Sequence, residues 1–269
     1  MINGIDISEW QKTLDVGLIK KDFVIIRAGY TGYKTGVKKV DSCFEKFYKQ
    51  LKYLKIPVGC YYYSCANTRE KGISEGKFLY ENCLKGKQFE YPIYIDVEDN
   101  HTQANNKDGV TDAIIGFCDY LEKLGYYVGI YASDISGFQN KMWINKLKRF
   151  DKWVARYGSR PVYVTQYGMW QNSASGTIKG YSGNIDTDKA FKNYPKIIKQ
   201  AKLNGYGDYQ EKPIQTQPSE KYYIVQKGDT LSSIAKKFNT TWQKIYQDNK
   251  DIIKNPNLIY PNQKLIIKR

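Results

Sequence analysis

Residues 92–100 read Pro-Ile-Tyr-Ile-Asp-Val-Glu-Asp-Asn, a short apolar strand that runs out into acidic and amide side chains. The branched aliphatic residues alternate with Tyr94, Asp96 and Glu98, which is the two-residue period of a β-strand. Asp96 and Glu98 should therefore project to the same side of a sheet. Two adjacent carboxyl groups resist ionising together, so the pair can divide into a proton donor and a charged stabiliser, as glycosidic hydrolysis requires. The alternative is a strand end with solvated acids.

Short apolar runs alternate with longer amphipathic segments over residues 1–200. The pattern predicts strands over 2–7, 23–28, 56–63, 92–97, 126–131, 153–155, 162–164 and 184–186. It predicts helices over 41–54, 68–84, 108–124 and 140–147. This alternation predicts an α/β fold with a mostly parallel sheet, and about eight strands in about 200 residues favour a closed barrel. A doubly wound open sheet is the alternative, although no Gly-rich phosphate loop opens any predicted helix.

Acidic residues follow or end several of these predicted strands. Asp6, Asp96, Glu98 and Asp186 lie on three separate strands. In a β/α barrel the carboxyl ends of the strands surround the active site, so these four carboxylates could converge at one mouth. The alternative for Asp6 and Asp186 is helix capping or loop solvation.

The composition narrows the possible chemistry. The chain has 269 residues, of which 41% are hydrophobic and 26% charged, as expected of a folded protein. His101 is its only histidine, which disfavours zinc hydrolases and Ser-His-Asp or Cys-His hydrolases, because these need histidine ligands or bases. Carboxylate chemistry remains, and we expect no metal and no organic cofactor.

The charge and the cysteines bear on partners and location. A formal net charge of +15 indicates an anionic partner or surface, either nucleic acid, acidic lipid or the anionic polymers of a cell wall. The basic residues are scattered, which disfavours a dedicated nucleic-acid patch. The five cysteines show no CxxC pair, which is typical of a reducing compartment. We see no signal-peptide pattern and no apolar run long enough for membrane insertion.

The composition changes after residue 203. Gly, Pro, Gln and Thr without periodicity predict a linker over 204–220, between a barrel over 1–203 and a small domain over 221–269. The last segment reads as strand, helix, helix, strand. It is rich in lysine, which suits an anionic surface.

An ordered set of motifs in the first 200 residues resembles the glycoside hydrolase family 25 lysozymes, the N-acetylmuramidases of bacteria and phages. The set comprises residues 4–11 (Gly-Ile-Asp-Ile-Ser-Glu-Trp-Gln), 26–30 (Ile-Arg-Ala-Gly-Tyr), 59–64 (Gly-Cys-Tyr-Tyr-Tyr-Ser), 96–98 (Asp-Val-Glu), 153–157 (Trp-Val-Ala-Arg-Tyr), 170–171 (Trp-Gln) and 184–186 (Asn-Ile-Asp). The resemblance implies an irregular TIM-like β/α barrel of eight strands with fewer helices.

The same resemblance assigns roles. Glu98 matches the general acid, and Asp96 matches the carboxylate that supports the substrate's N-acetyl group or the transition state. Asp6 and Asp186 match the other two acids of the catalytic cluster. The substrate-binding residues implied by the match are Tyr62, Trp170 and Gln171. The match leaves open which tyrosine among Tyr61, Tyr62 and Tyr63 faces the cleft. Asn172 follows Gln171 where the family often has Tyr, so contacts with the sugar could differ there.

The tail resembles a LysM domain, a module that binds N-acetylglucosamine-containing polymers. The resemblance rests on residues 228–231 (Gly-Asp-Thr-Leu), 234–235 (Ile-Ala) and 255–263 (Asn-Pro-Asn-Leu-Ile-Tyr-Pro-Asn-Gln). It implies sugar contacts from one loop at Asp229, Thr230 and Leu231, and from a second loop at Asn257, Leu258 and Ile259. Leu231 and Ile259 could equally belong to the small core of the domain.

Together these features predict a peptidoglycan hydrolase that cleaves the β-1,4 bond between N-acetylmuramic acid and N-acetylglucosamine. The expected source is a phage endolysin, made in the host cytoplasm and released to the wall through a holin. A bacterial autolysin of the same activity, a catalytically inactive wall-binding protein and a chitinase-like enzyme are the alternatives. Intact acids at all four cluster positions favour an active enzyme.

Overall fold

The computed structural model describes residues 2–207, 221–250 and 252–267. The chain folds into two compact units, Met1–Lys212 and Pro213–Arg269. Within the described ranges no helix has the length and apolarity that crossing a bilayer requires. The predicted linker lies largely outside the described residues.

Nine strands and four α-helices form the described part of the first unit. The strands are β1 (Ile2–Ile7), β2 (Phe23–Thr31), β3 (Lys38–Val40), β4 (Val58–Tyr63), β5 (Ile93–Asp96), β6 (Val128–Ser133), β7 (Asp151–Ala155), β8 (Met169–Gly176) and β9 (Ile185–Ala190). The helices are α1 (Phe44–Tyr53), α2 (Arg69–Leu79), α3 (Lys107–Lys123) and α4 (Tyr194–Gln200). Between α3 and β9 the connections contain only two short helical segments, Asp134–Gln139 and Ile144–Leu147, and both lie between β6 and β7.

The sheet closes into a barrel because β1 pairs with β2 on one side and with β9 on the other. The order around it is β1-β9-β8-β7-β6-β5-β4-β2, and β3 is added outside on β2. Neighbouring strands are parallel from β1 and β2 through β4 to β8, whereas β9 is antiparallel to both of its neighbours. The prediction of an eight-stranded barrel with fewer helices is confirmed, and closure removes the open-sheet alternative.

One predicted strand is wrong, and two strands, β3 and β8, were not predicted. The backbone N–H groups of Val162, Tyr163 and Val164 donate to the carboxylate of Asp134 instead of a neighbouring strand. The strand in this part of the barrel is β8, whose Gln, Asn, Ser and Gly residues lack an apolar alternation. A polar side chain therefore satisfies the backbone where the pattern had predicted strand pairing.

Aromatic rings fill the inside of the barrel. Trp153 on β7 lies at the centre, with ring centroids 4.3 Å from Tyr131, 5.2 Å from Tyr94 and 6.0 Å from Tyr61. Its indole N–H donates to the buried carboxylate of Asp188 at 2.8 Å. A second, larger core of aliphatic and aromatic residues lies between the strands and the helices. These aromatic side chains make the inside of the barrel a packed core, and the acids lie at one end of this core.

The predicted start of the linker at residue 204 is wrong. Asn204 is fully buried in the barrel unit. Its side chain donates to the carbonyl of Tyr91 at 2.9 Å and accepts from the N–H of Tyr127 at 2.7 Å. A buried amide that satisfies two strand ends is a structural element, so the barrel extends to at least residue 207.

The described part of the second unit is a βααβ domain. It comprises β10 (Lys221–Ile224), α5 (Leu231–Lys237), α6 (Trp242–Asp248) and β11 (Lys264–Ile267), and the two strands are antiparallel. Its core consists of Val225, Leu231, Ile234, Ala235, Ile245, Ile253, Leu265 and Ile267. Buried Asn249 bonds to both backbone groups of Ile266, which ties α6 to β11. The predicted order of elements is confirmed.

Candidate active site

Three strands carry acidic side chains to the same end of the barrel. Asp6 lies near the end of β1, Asp96 is the last residue of β5, and Asp186 lies on β9 directly opposite Asp6. Burial, and then the charges of Asp186, Glu98 and Asp6, raise the pKa of Tyr157 to about 12. The carboxyls of these strands therefore lie close enough to raise the pKa of one tyrosine hydroxyl. The structure thus brings the predicted catalytic residues together at one end of the barrel.

The neighbouring pair Asp96 and Glu98 has the properties of a proton-holding site. Asp96 is only 3% exposed, and burial followed by the charge of Glu98 raises its pKa well above the ordinary value. Glu98 is exposed to solvent, yet the surrounding protein atoms and the charge of Asp186 raise its pKa as well. Both carboxyls thus resist ionisation, and Glu98 is the one that an incoming ligand can reach.

Glu98 lines a cleft of about 420 Å³ at the carboxyl ends of β5, β6 and β7. The lining residues are Glu98, Asn100, Ser133, Ser136, Lys141, Ala155, Arg156 and Tyr157. This volume falls in the range of small-molecule sites. The cleft places hydroxyl, amide and charged groups around a carboxyl that can protonate an oxygen.

Lys141 fixes the segment that carries Glu98. The side chain is 7% exposed, and its ammonium donates to the carbonyls of Glu98 at 2.5 Å and Asp99 at 3.0 Å. Its charge opposes the rise in the pKa of Glu98. Lys141 therefore positions the acid and limits how strongly Glu98 retains its proton.

We expect Lys141→Gln to move the alkaline limb of the pH profile of kcat/KM to higher pH. The substitution removes a charge that lowers the pKa of Glu98, so the carboxyl keeps its proton over a wider range. Lys146→Gln, which alters an exposed ion pair with Asp108, should leave the limb in place. A limb that stays unchanged or moves to lower pH in Lys141→Gln would contradict this role.

Gln171 links Asp6 on β1 to two tyrosine hydroxyls by hydrogen bonds. Its amide nitrogen donates to Asp6 at 2.8 Å. Its amide oxygen accepts from the hydroxyls of Tyr131 at 2.8 Å and Tyr157 at 3.1 Å. All four polar groups are thus held in one network. Gln171 is only 2% exposed, and its substrate-binding role stays a prediction.

Asp188 also belongs to the acid cluster, although the sequence pattern did not predict it as a site residue. It is 1% exposed and accepts from the indole N–H of Trp153, and burial followed by the charge of Asp188 raises the pKa of Asp6. Burial and the charge of Asp186 raise the pKa of Asp188 to about 8. The missed signal was the two-residue period of β9, because Asp186 and Asp188 lie on the same face only if the strand continues past residue 186.

Tyr62 does not reach the mouth of the barrel, so the prediction that it is the cleft tyrosine is wrong. It is fully buried between the barrel and the helices, against Phe78 and Phe117, and its hydroxyl bonds to Thr31 at 2.9 Å. Neighbours on a strand point to opposite faces, so Tyr61 points into the barrel instead. Burial, and then the charge of Asp6, raises the pKa of Tyr61, which places its hydroxyl beside the acids.

Trp170 also lies away from the acid cluster. It occupies the face of β8 opposite Gln171, where Lys189 lies 5.3 Å from its ring centroid. Its indole N–H donates to the carbonyl of Arg156 at 2.7 Å. Trp170 therefore supports a residue that lines the cleft and is not itself among the lining residues.

In the small domain, the first predicted loop is held by its own side chains. Asp229 accepts from the hydroxyl of Tyr223 at 2.7 Å and from the N–H of Gln226 at 2.8 Å. Thr230 caps the N-terminus of α5 in a capping box. Leu231 is only 4% exposed and belongs to the core, so it offers little surface to a ligand.

The second predicted loop is more accessible. Asn257 is exposed, Leu258 is 50% exposed and Ile259 is half-buried against the domain core. Backbone bonds between Val225 and the segment at 262–263 bring the two loops side by side. The contact roles of these six residues remain predictions, with Leu258 the most accessible candidate.

A closed β/α barrel with paired carboxyls at its mouth, followed by a βααβ module, is compatible with the class of glycoside hydrolases. Residues 5–181 match the family model of the glycosyl hydrolases family 25, and residues 223–268 match that of the LysM domain. The chain belongs to glycosyl hydrolases family 25 and carries a C-terminal LysM domain. The resemblances seen in the sequence are confirmed.

Similar proteins come from bacteria and from a phage. An autolytic lysozyme of Clostridium acetobutylicum is 29% identical over 189 residues, which are 70% of this chain and 55% of that protein. The catalytic domain of endolysin ply40, from a bacteriophage of Listeria monocytogenes, is 26% identical with a TM-score of 0.59, over 74% of this chain and 97% of that chain. The autolysin LytC of Streptococcus pneumoniae is 28% identical with a TM-score of 0.56, over 70% of this chain and 46% of that chain. The chain thus spans about half the length of the curated relative.

Proposed function

We propose that this protein is a peptidoglycan hydrolase, an N-acetylmuramidase that cleaves the β-1,4 bond between N-acetylmuramic acid and N-acetylglucosamine. The observation that carries the proposal is Glu98, a carboxyl in an open cleft whose surroundings raise its pKa beside a buried second carboxyl. Membership of family 25 and the similarity to an autolytic lysozyme support the substrate class.

In the proposed reaction Glu98 protonates the glycosidic oxygen as the bond breaks. Asp96, buried behind it, stabilises the positive charge that develops on the sugar or orients the N-acetyl group that stabilises it. Water attacks the sugar either directly or after attack by the acetamide oxygen. Proton NMR of the first product separates the two routes, because acetamide participation retains the anomeric configuration and direct attack inverts it.

Analysis of the new reducing ends tests the proposal. Purified peptidoglycan is digested, the products are reduced with borohydride, and the terminal sugars are identified. We expect reduced muramic acid. Reduced glucosamine would show a glucosaminidase and overturn the proposal, and cleavage of soluble chitin oligomers at a similar rate would favour the chitinase-like alternative.

We further propose that the LysM domain holds the enzyme on the glycan and that the excess of basic residues adds affinity for anionic wall polymers. Tethering raises the local substrate concentration without adding catalytic contacts. Both a phage endolysin, reaching the wall through a holin, and an exported autolysin fit this arrangement. Expression with and without a holin, followed by the time of lysis, separates these two routes.

A chain that ends at Lys212, the limit of the first compact unit, should lose activity on whole cells but not on small muropeptides. We expect at least about a tenfold loss on cell walls, because avidity gains of about 10²–10⁴ are usual for linked modules that engage together. Turbidity loss and release of reducing ends from a soluble muropeptide measure the two activities. Equal losses on both substrates would show that the tail is structural.

A further inference from the structure

Two cations lie in the cleft beside the proposed acid. Lys141 and Arg156 line it together with Glu98. The proposed reaction uses the carboxyls and gives Lys141 a positioning role, but it gives Arg156 none. Its guanidinium lies on the wall of the cleft, where it can meet a ligand.

Arg156 is held rigidly but is not fully neutralised. Its Nε donates to Ser159 at 3.1 Å and its Nη1 to Asp134 at 3.2 Å, while 32% of its side chain stays exposed. Asp134 is 2% exposed, and its carboxylate also accepts from three backbone N–H groups, at residues 162–164. Because the negative charge of Asp134 is shared among these donors, the guanidinium retains positive charge toward the cleft.

Lys141 adds positive charge on the same side. Its ammonium bonds to two backbone carbonyls, and the charges of Glu98, Asp99 and Asp96 partly offset its own. Glu98 must hold a proton to act as an acid, so it is neutral when the enzyme is ready to react. Asp186 is the acid whose charge also reaches Glu98, and it lies on β9 across the mouth. The ready cleft therefore has a positive side formed by Lys141 and Arg156.

We propose that Arg156, assisted by Lys141, forms a subsite for a carboxylate carried by the muramyl residue next to the scissile bond. The inference rests on the proposed function. Muramic acid differs from glucosamine by a lactyl ether, which ends in a carboxylate when free and in a carboxylate-bearing peptide when substituted. An arginine fork matches a carboxylate in shape and charge, and chitin has no such group.

The test compares charged and neutral substrates. Glycan strands are freed of peptides by an amidase, and half of the sample has its lactyl carboxylates converted to methylamides. For Arg156→Gln we expect KM on the charged strands to rise about tenfold, with KM on the neutral strands and kcat on both unchanged. Arg160→Gln, an exposed residue of the same loop outside the cleft lining, is the matched control.

The outcomes distinguish the source of the carboxylate. An effect of Arg156→Gln on peptide-free strands assigns the lactyl carboxylate, whereas an effect only on peptide-bearing strands assigns a stem-peptide carboxylate. Arg156→Lys should recover part of the preference. Equal losses on charged and neutral strands would show a structural role, and no loss on any strand would show no contact; either result overturns the subsite.

The same comparison can be made without catalysis. Binding of charged and neutral strands to a Glu98→Gln protein, with and without Arg156→Gln, isolates recognition because glutamine mimics the protonated acid. If the wild-type enzyme released no muramic reducing ends, the proposed function would fail, while this binding preference would still test the subsite. The two failures are therefore separable.

Discussion

Replacing Glu98 with glutamine should lower kcat/KM on peptidoglycan about a thousandfold, because a positioned general acid contributes about 10²–10⁴. Glutamine keeps the size of the side chain and its place in the cleft, but it has no proton to give to the glycosidic oxygen. The loss should appear in kcat, since the variant still binds the glycan. Turbidity loss of cell walls and release of reducing ends measure the effect.

Two controls make this result specific to the acid. Wall pull-down by Glu98→Gln should equal that of the wild type, since the LysM domain is unchanged. Glu81→Gln, which alters an exposed ion pair with Lys85, should keep full activity. Normal lysis by Glu98→Gln would remove Glu98 from the mechanism.

Replacing Asp188 with asparagine should make the stability of the barrel depend less on pH. The folded-state pKa of Asp188, about 8, lies far above its ordinary value of 3.8. A carboxyl raised in this way contributes stability that is complete below pH 3.8 and is lost as the pH rises through about 8. Asparagine does not titrate, and its amide can still accept from Trp153, so the variant should lose less stability over this range.

Calorimetry of the barrel transition between pH 5 and pH 7.5 measures the difference. Each proton held only by the folded state changes the free energy of unfolding by about 1.4 kcal/mol per pH unit. We therefore expect the melting temperature of the wild type to fall by at least about 4 °C more than that of Asp188→Asn between pH 5 and pH 7.5. Glu75, with a pKa of about 7, is common to both proteins and cancels. Asp6 keeps the rise in pKa that burial causes but loses the part due to the charge of Asp188. Parallel curves for the two proteins would contradict the prediction, and exposed Asp112→Asn is the matched control.

The sequence predicted the positions of strands and helices wherever one side of the element is apolar. The strands β1, β2, β4, β5 and β6 and the helix α3 have such patterns and lie within a few residues of their predicted limits. The strand β8 has a polar sequence, and the segment at 162–164 is apolar but is bound by Asp134. Local hydrophobicity does not encode pairing that is decided by barrel closure or by a distant carboxylate.

The candidate site was readable where a motif is local. The spacing of Asp96 and Glu98 fixes their common face, and the structure brings Asp6 and Asp186 to the same mouth. Asp188 enters the cluster only because β9 continues past Asp186. Lys141 and Arg156, and the choice of Tyr61 over Tyr62, depend on which loops and faces meet across the barrel, which no local spacing specifies.

Catalysis at this site requires Glu98 to hold a proton in the cleft at a pH where an ordinary glutamate has lost it. Titration of the Glu98 side-chain carboxyl by carbon-13 NMR, with Glu98→Gln to assign its signal, measures this directly. We predict a pKa above the ordinary 4.5, which moves to lower pH in Asp186→Asn because the charge of Asp186 raises it. A carboxyl that titrates at or below 4.5 in the wild-type protein would contradict the assignment of Glu98 as the acid.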